Sequence, residues 1–400
     1  MNRAPFIIIL VLLASTLKAQ ITCGDFYKNS DIVKFLETSA DPRNSRSLLE
    51  THAEFSETSR ESHEVVFEID PSHHGDLQIE VHGAANIRYL ISSLKVHDET
   101  ALVGPGSKNK SPKADDNLLS LIDDFPGLSD VSAYNSQIRS IPGTGFTSLI
   151  IPFQLLKKHK ESYRLKMKIE KDTVSKEKVK VRLVQRKKLK ANFAGRVDLN
   201  VFIPEELAPN FSEMKQNELV DRLNRIYESA GIYFRIQTLS HISNEFSHPK
   251  LEALPESLAM KADLQDGGLS LVICYSISSC ALGNVAGFSD GIPGPSSIEG
   301  AQRRRVYVAL PDPPKNIDSG VFESWLIESG NLLAHEIGHY LGLAHTYERA
   351  SNSLQDTFSD TPNVDSNNVM DPLINRQGIP IFSFKQIDQL RAHPIVTPEL

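Results

Sequence analysis

Cysteine is scarce here, three in 400 residues. That is too few for the disulfide frameworks that stand in for a core in small exported domains. Long apolar runs are scarcer still. After the first residues no segment is apolar enough to span a bilayer, which excludes a multi-span membrane protein. A strong charge of one sign is also missing. Forty-three Lys and Arg against 50 Asp and Glu leave −7, so there is no chain-wide basic footprint for nucleic acid, and no nucleic-acid partner is expected.

What the amino end does have is a processing signal. Arg3 supplies the positive start, residues 6–13 are an unbroken apolar run, and Leu17-Lys18-Ala19 offers a small residue for cleavage before Gln20. The run is too short to cross a bilayer comfortably, so residues 1–19 read as a removed secretory signal and the mature chain as exported, extracellular or periplasmic. Gln20-Ile21-Thr22 lacks the small residues that precede a lipidated cysteine, which leaves Cys23 without that role. Cys274 and Cys280 are close enough to close a small loop in an oxidising compartment, and Cys23 would then be unpaired.

Residues 335–345 read HEIGHYLGLAH. On a helix, His335 and His339 fall one turn apart on one face, where two imidazoles can grip one small cation. Glu336 lies beside that cation without being a ligand, placed to take and return a proton. Gly342 can adopt a left-handed backbone that ends the helix and brings His345 round as a third ligand. Three protein ligands leave a fourth position open, the mark of a catalytic zinc site. A bare HExxH would arise by chance in roughly three such chains per hundred, but adding Gly342 and His345 lowers that to roughly five in a hundred thousand. The alternative, a structural helix of satisfied histidines, would bury several polar groups at a cost with no partner.

Twenty-five residues beyond His345 lies Met370, in Asn368-Val369-Met370-Asp371-Pro372. Alone it would read as a gap-filling core residue. With the long histidine motif, this segment resembles the Met-turn of the metzincin clan of zinc endopeptidases, which implies a hydrophobic base under the metal. Ser359-Asp360-Thr361-Pro362 before it, and the Ser383, Gln386, Ile387, Leu390, Arg391 pattern after it, are similar to the pappalysin branch. The resemblance covers roughly residues 195–395. It implies an α+β fold, with a mixed twisted sheet plus an active-site helix, and an enzyme acting on protein or peptide substrates. It also implies an edge strand at Val285, Ala286, Gly287 and Phe288 that pairs with the substrate backbone. One departure stands out. Several metzincin families carry a Tyr two residues past the Met-turn methionine, and here that place is Pro372.

The rest of the chain reads in blocks. Residues 20–62 are a polar segment, and 63–190 form a β-rich, sandwich-like domain with strands at 65–69, 76–81, 87–91, 148–153, 162–169 and 178–184. Residues 157–190 hold fifteen Lys and Arg against four acidic residues, either a polyanion-binding patch or a solvated lysine face, the second being favoured. The basic run at 185–190 sits between the sandwich and the next domain, where a cut would release residues 20–190 as a prodomain. Residues 195–400 are then the metzincin-type peptidase domain, opening strand, helix, strand at 197–203, 217–229 and 231–236. Its active-site helix is expected from about Ser319 to Leu341. Asp356, Asp360 and Asp365 could hold calcium as a further cation, but their spacing fits no calcium loop and a solvated loop is favoured.

Two other classes compete with a secreted zinc endopeptidase. One is an exported binding or adhesion protein that works through the β-rich domain beside a vestigial peptidase. The other is a zinc hydrolase of non-peptide substrates. The intact Glu336 argues against the first and the expected edge strand against the second.

Overall fold

The computed structural model describes residues 46–54, 62, 65–68, 76–83, 89–96, 100–103, 146–151, 162–169, 178–186, 194–250, 268–279, 283–289, 291–294, 305–317, 319–346, 360–361, 367–372 and 378–398. The first eight strands are β1 (Arg46–Glu54), β2 (Val65–Glu68), β3 (Leu77–His82), β4 (Tyr89–Val96), β5 (Thr100–Val103), β6 (Phe146–Ile151), β7 (Ser162–Ile169) and β8 (Lys178–Arg186). They form two four-stranded sheets, ordered β1-β8-β3-β6 and β2-β7-β4-β5, with every pairing antiparallel. β1 lies inside the segment expected to be only polar, so the ordered β-structure begins earlier than the sequence suggested. It pairs with the basic strand β8, where Glu50 is the register partner of Arg182 and Glu54 of Lys178.

The second half is built on one mixed sheet. Its strands are β9 (Gly195–Pro204), β10 (Ile232–Ile242), β11 (Leu269–Cys274), β14 (Gly287–Ser289), β15 (Arg305–Ala309) and β16 (Thr397–Pro398), with a small hairpin of β12 (Ile277–Ser279) and β13 (Gly283–Val285) beside it. The order is β10-β9-β11-β15-β14, parallel except for β14 at the edge, and β16 adds antiparallel to the end of β9. Side-chain alternation serves two cores. Val201, Ile203, Leu271, Ile273, Val306 and Val308 face the helices. Their neighbours Phe202, Val272, Cys274 and Tyr307 face a smaller cluster on the other side. Strands buried on both faces suit a largely parallel sheet.

Among the described residues three α-helices accompany this sheet: α1 (Glu213–Tyr227), α2 (Gly320–Tyr340) and α3 (Phe384–Ala392). Leu219, Leu223 and Ile226 of α1 are buried on one face, as their spacing predicts, although α1 starts earlier than expected because Ser212 takes the extended N-cap conformation. Ser319 caps α2 by accepting from the Phe322 N–H, and nearly every residue from Ser329 to Tyr340 is buried. Among the described residues no helix is long and apolar enough to cross a membrane.

The pairing expected between Cys274 and Cys280 is not formed. Cys274 is a free, buried thiol at the end of β11, its side chain packed in the smaller core. Burial pushes that thiol well above its ordinary pKa, so it is a packed apolar group and no nucleophile. Cys23 and Cys280 lie outside the described residues.

Candidate metal centre

Two glycines and one turn shape the site. α2 ends in a Schellman arrangement: the Leu343 N–H donates to Gly338 O at 3.0 Å and the Gly342 N–H to His339 O at 2.9 Å. Gly342 itself sits at φ +105°, where an L side chain is strained. The reversal brings His345 back to the helix, so that His335, His339 and His345 offer ring nitrogens within 4.8 Å of one another, all buried. The three Nε2 atoms are 3.0–3.1 Å apart.

Those contacts are not ordinary hydrogen bonds. His335 Nδ1 lies 2.8 Å from Val369 O, and His339 Nδ1 lies 2.8 Å from Leu343 O. A carbonyl only accepts, so both Nδ1 atoms carry the proton and both Nε2 lone pairs point inward. Burial, together with the other two imidazoles, holds His339 well below its ordinary pKa, so it stays neutral and able to ligate. His345 brings its Nε2 to 3.0–3.1 Å from both of these lone pairs, a cluster suited to a shared cation, and the spacing is close to the roughly 3.3 Å that tetrahedral zinc–nitrogen bonds of ~2.0–2.1 Å set. Backbone carbonyls on the outer nitrogens are the usual supports of metal-ligating histidines. The donor set fits zinc.

Glu336 stands beside this cluster, fully buried, and neither carboxylate oxygen has a hydrogen-bond partner. Burial pushes its carboxyl up to about 8. An orphaned carboxylate in that place is what a reacting water or substrate would satisfy. Its other neighbour is the edge strand. At Gly287 in β14 a Cβ would overlap Glu336 Cγ and Cδ, so only glycine lets the strand lie flush against the carboxylate. Gly287→Ala is therefore expected to displace Glu336 and lower kcat about a hundredfold with zinc content unchanged, as steady-state kinetics and metal analysis on one preparation would show.

Met370 is completely buried, and a Cβ on Gly338, between the two helical histidines, would lie 2.5 Å from its sulfur. The turn at Met370 also steadies the histidines, directly through Val369 O on His335 and, next to His345, through Met370 O, which accepts from the Thr346 N–H at 3.1 Å. The final helix in turn locks that turn. Gln386 and Asn368 exchange side-chain hydrogen bonds at 2.9 and 3.2 Å, Gln386 completes a capping box with Ser383, and Asn368 Oδ1 accepts from the Met370 N–H at 2.8 Å. The sequence motif after Met370 thus has a mechanical purpose.

Residues 322–393 match the family model described as "Pregnancy-associated plasma protein-A". This segment is similar to the pappalysin family of zinc metallopeptidases. The pappalysin-like segment spans α2, all three histidines, the Met-turn and α3, so the match and the donor geometry fall on the same residues. No curated protein matches the chain. Among solved structures, metalloproteinase-II from Bacteroides fragilis aligns with a TM-score of 0.33 and 16% identity, covering 51% of this chain and 55% of that one. An archaemetzincin from Methanopyrus kandleri aligns at 0.30 and 15%, covering 49% and 93%. The chain thus spans only about half the length of the Bacteroides protein.

The residues expected to bind substrate divide in the structure. Val285 belongs to the small hairpin rather than to the sheet edge, and Val285 and Phe288 both bury their side chains in the smaller core. Ala286 is the joint between hairpin and edge, its carbonyl accepting from the Ala309 N–H at 2.7 Å. Only β14 remains as the edge, so any contact to an extended peptide runs through its backbone. Asp360, read as a candidate calcium ligand, is occupied otherwise. One oxygen accepts from Ser383 Oγ at 2.9 Å and the other from the Lys385 N–H at 3.0 Å, which fastens the start of α3. Asp356 and Asp365 lie outside the described residues. Two supporting residues were not anticipated. Tyr227 donates from its hydroxyl to Ala334 O at 2.9 Å, and Arg222 donates to Asn331 Oδ1 at 3.0 Å and to Gly378 O, tying α1 to α2 and to the chain beyond the Met-turn. Both lie on α1 at positions that read simply as helix faces.

Proposed function

We propose that this chain is an exported zinc endopeptidase, with His335, His339 and His345 as ligands and Glu336 as general base and acid. The observation that carries the reading is the orphaned Glu336 carboxylate, buried against three inward-facing imidazoles and the glycine of an edge strand. Bound zinc would supply Lewis acidity to a water and to the scissile carbonyl. Glu336 takes a proton from the attacking water and delivers it to the leaving amine, and its raised pKa suits it to both transfers near neutral pH. The free side of β14 lays an extended peptide across the site by strand addition, which gives affinity without reading sequence. Pro372 has no hydroxyl to offer the oxyanion. Export rests on the amino-terminal signal, and residues 63–190 and 195–400 are assigned as a β-rich domain and the peptidase domain.

The test is casein cleavage with and without a chelator. Proteolysis that stops on chelation and returns with zinc is the expected result. Cleavage indifferent to the chelator would overturn it, ester hydrolysis alone would favour the non-peptide hydrolase, and binding without cleavage would favour the adhesion protein.

A further inference from the structure

The β-rich region has a second covered face. In register, Gln78, Glu80 and His82 of β3 lie beside Ile150, Ser148 and Phe146 of β6 and beside Val184, Arg182 and Lys180 of β8. The outer sheet of a free two-layer sandwich exposes one face and reads alternately buried and exposed. Here β3 is buried at five consecutive positions, and Gln78, Glu80 and Ser148 are all 0% exposed. Both faces of this sheet are therefore shielded.

What meets the polar face is a strap of the peptidase region, Gly291-Ile292-Pro293-Gly294, just past the edge strand. Gln78 Nε2 donates to Gly294 O at 2.8 Å and Ser148 Oγ donates to Pro293 O at 2.5 Å. A Cβ at Gly291 would lie 2.9 Å from Phe146 Cε1, so the strap also packs against the sheet. On its other side the strap holds the catalytic elements. The Gly294 N–H donates to Tyr340 O at 2.7 Å, one residue past His339, and a Cβ at Gly294 would overlap the Tyr340 ring. Gly294 O also accepts from His393 Nε2 at 3.0 Å, beyond the end of α3. Ser289 Oγ of the edge strand donates to Gly291 O at 2.8 Å. Four residues thus join the β-rich region, the edge strand, the end of the zinc helix and the close of α3.

We infer that the β-rich region is a stationary part of the working protein, docked through the Gln78 and Ser148 face on the 291–294 strap, and that cutting the chain between the two regions leaves them together. The strap carries the region's influence to the site, because it bonds to the residue beside His339 and to the strand beside Glu336.

The experiment places a recognition site for a sequence-specific protease between Lys190 and Phe193 of the full chain, nicks the folded protein and runs it on a sizing column in 0.15 M salt. Both pieces are expected to elute as one species with full zinc content. Gln78→Leu with Ser148→Ala is expected to weaken reassociation of the nicked pieces about a hundredfold, tenfold for each buried donor lost at about 1.4 kcal/mol per decade. Ser148→Ala alone, the milder change, should give about tenfold, which keeps the test open if the double variant folds poorly. Separation of the wild-type pieces in that salt overturns the inference, as does reassociation unchanged in the variants. Elution is read without any cleavage assay, so this result stands apart from whether the chain is a peptidase.

Discussion

Replacing Glu336 by Gln is expected to lower kcat for casein by about 10²–10⁴-fold while zinc content stays at the wild-type level. The amide keeps the shape and burial of the side chain, and the three nitrogens that would hold the metal are unchanged. What it loses is the capacity to accept a proton. Near-wild-type proteolysis by this variant would falsify the assigned mechanism. A second readout uses the metal-free protein. With its pKa pushed up to about 8, the folded chain keeps a proton on Glu336 that the unfolded chain releases from about pH 4.5 upward. The stability from this group is full below pH 4.5 and falls as pH rises toward about 8, by an amount on the order of a few kcal/mol. Glu336→Gln removes that decline. His339 acts in the opposite sense, its lowered pKa costing stability as pH falls below 6.5, but it is common to both proteins. Comparing the two metal-free proteins by denaturant titration should therefore show a gap in favour of the variant that opens between pH 5 and 8.

His339→Ala is expected to remove zinc and activity together. Losing an outer-sphere partner typically costs a site 10–100-fold in metal affinity, and losing a ligand should exceed that. The substitution also deletes the bond from His339 Nδ1 to Leu343 O, which helps hold the reversal that presents His345. Two of the three candidate ligands are therefore disturbed by one change. Metal analysis after dialysis against a weak chelator should find the variant empty and the wild type loaded. A variant that kept stoichiometric zinc would show that His339 is not a ligand.

The three-histidine cluster was legible because its residues are local in the sequence. Three histidines, one glutamate and one glycine within residues 335–345 leave little freedom in how they can be arranged, and the helix, its cap at Ser319 and its stop at Gly342 followed from short-range rules. The edge strand was legible only in part. Its glycines marked an extended segment, but the break at Ala286 depends on pairing with Ala309, a partner distant in sequence. β1 was missed for a similar reason. Its partner, β8, lies more than a hundred residues further along, so nothing local marks it as a strand. The disulfide expectation failed because spacing says nothing about direction, and Cys274 points into a core. The strap at 291–294 was not read from the sequence, since most of its bonds run through backbone carbonyls and its one trace is the pair Gly291 and Gly294, whose close neighbours are distant in sequence.

The tight reversal at Gly342 has a consequence for assembly. Because it returns His345 to its own helix, the chain closes only a very short loop to gather its three nitrogens, and such closure costs little entropy compared with pairing β9 to β16 across nearly the whole peptidase region. The three-histidine cluster can thus form while the sheet is still incomplete. The floor supplied by Met370 and the lock supplied by Gln386 arrive later along the polypeptide, so a chain emerging amino end first acquires its ligands before the parts that hold them still.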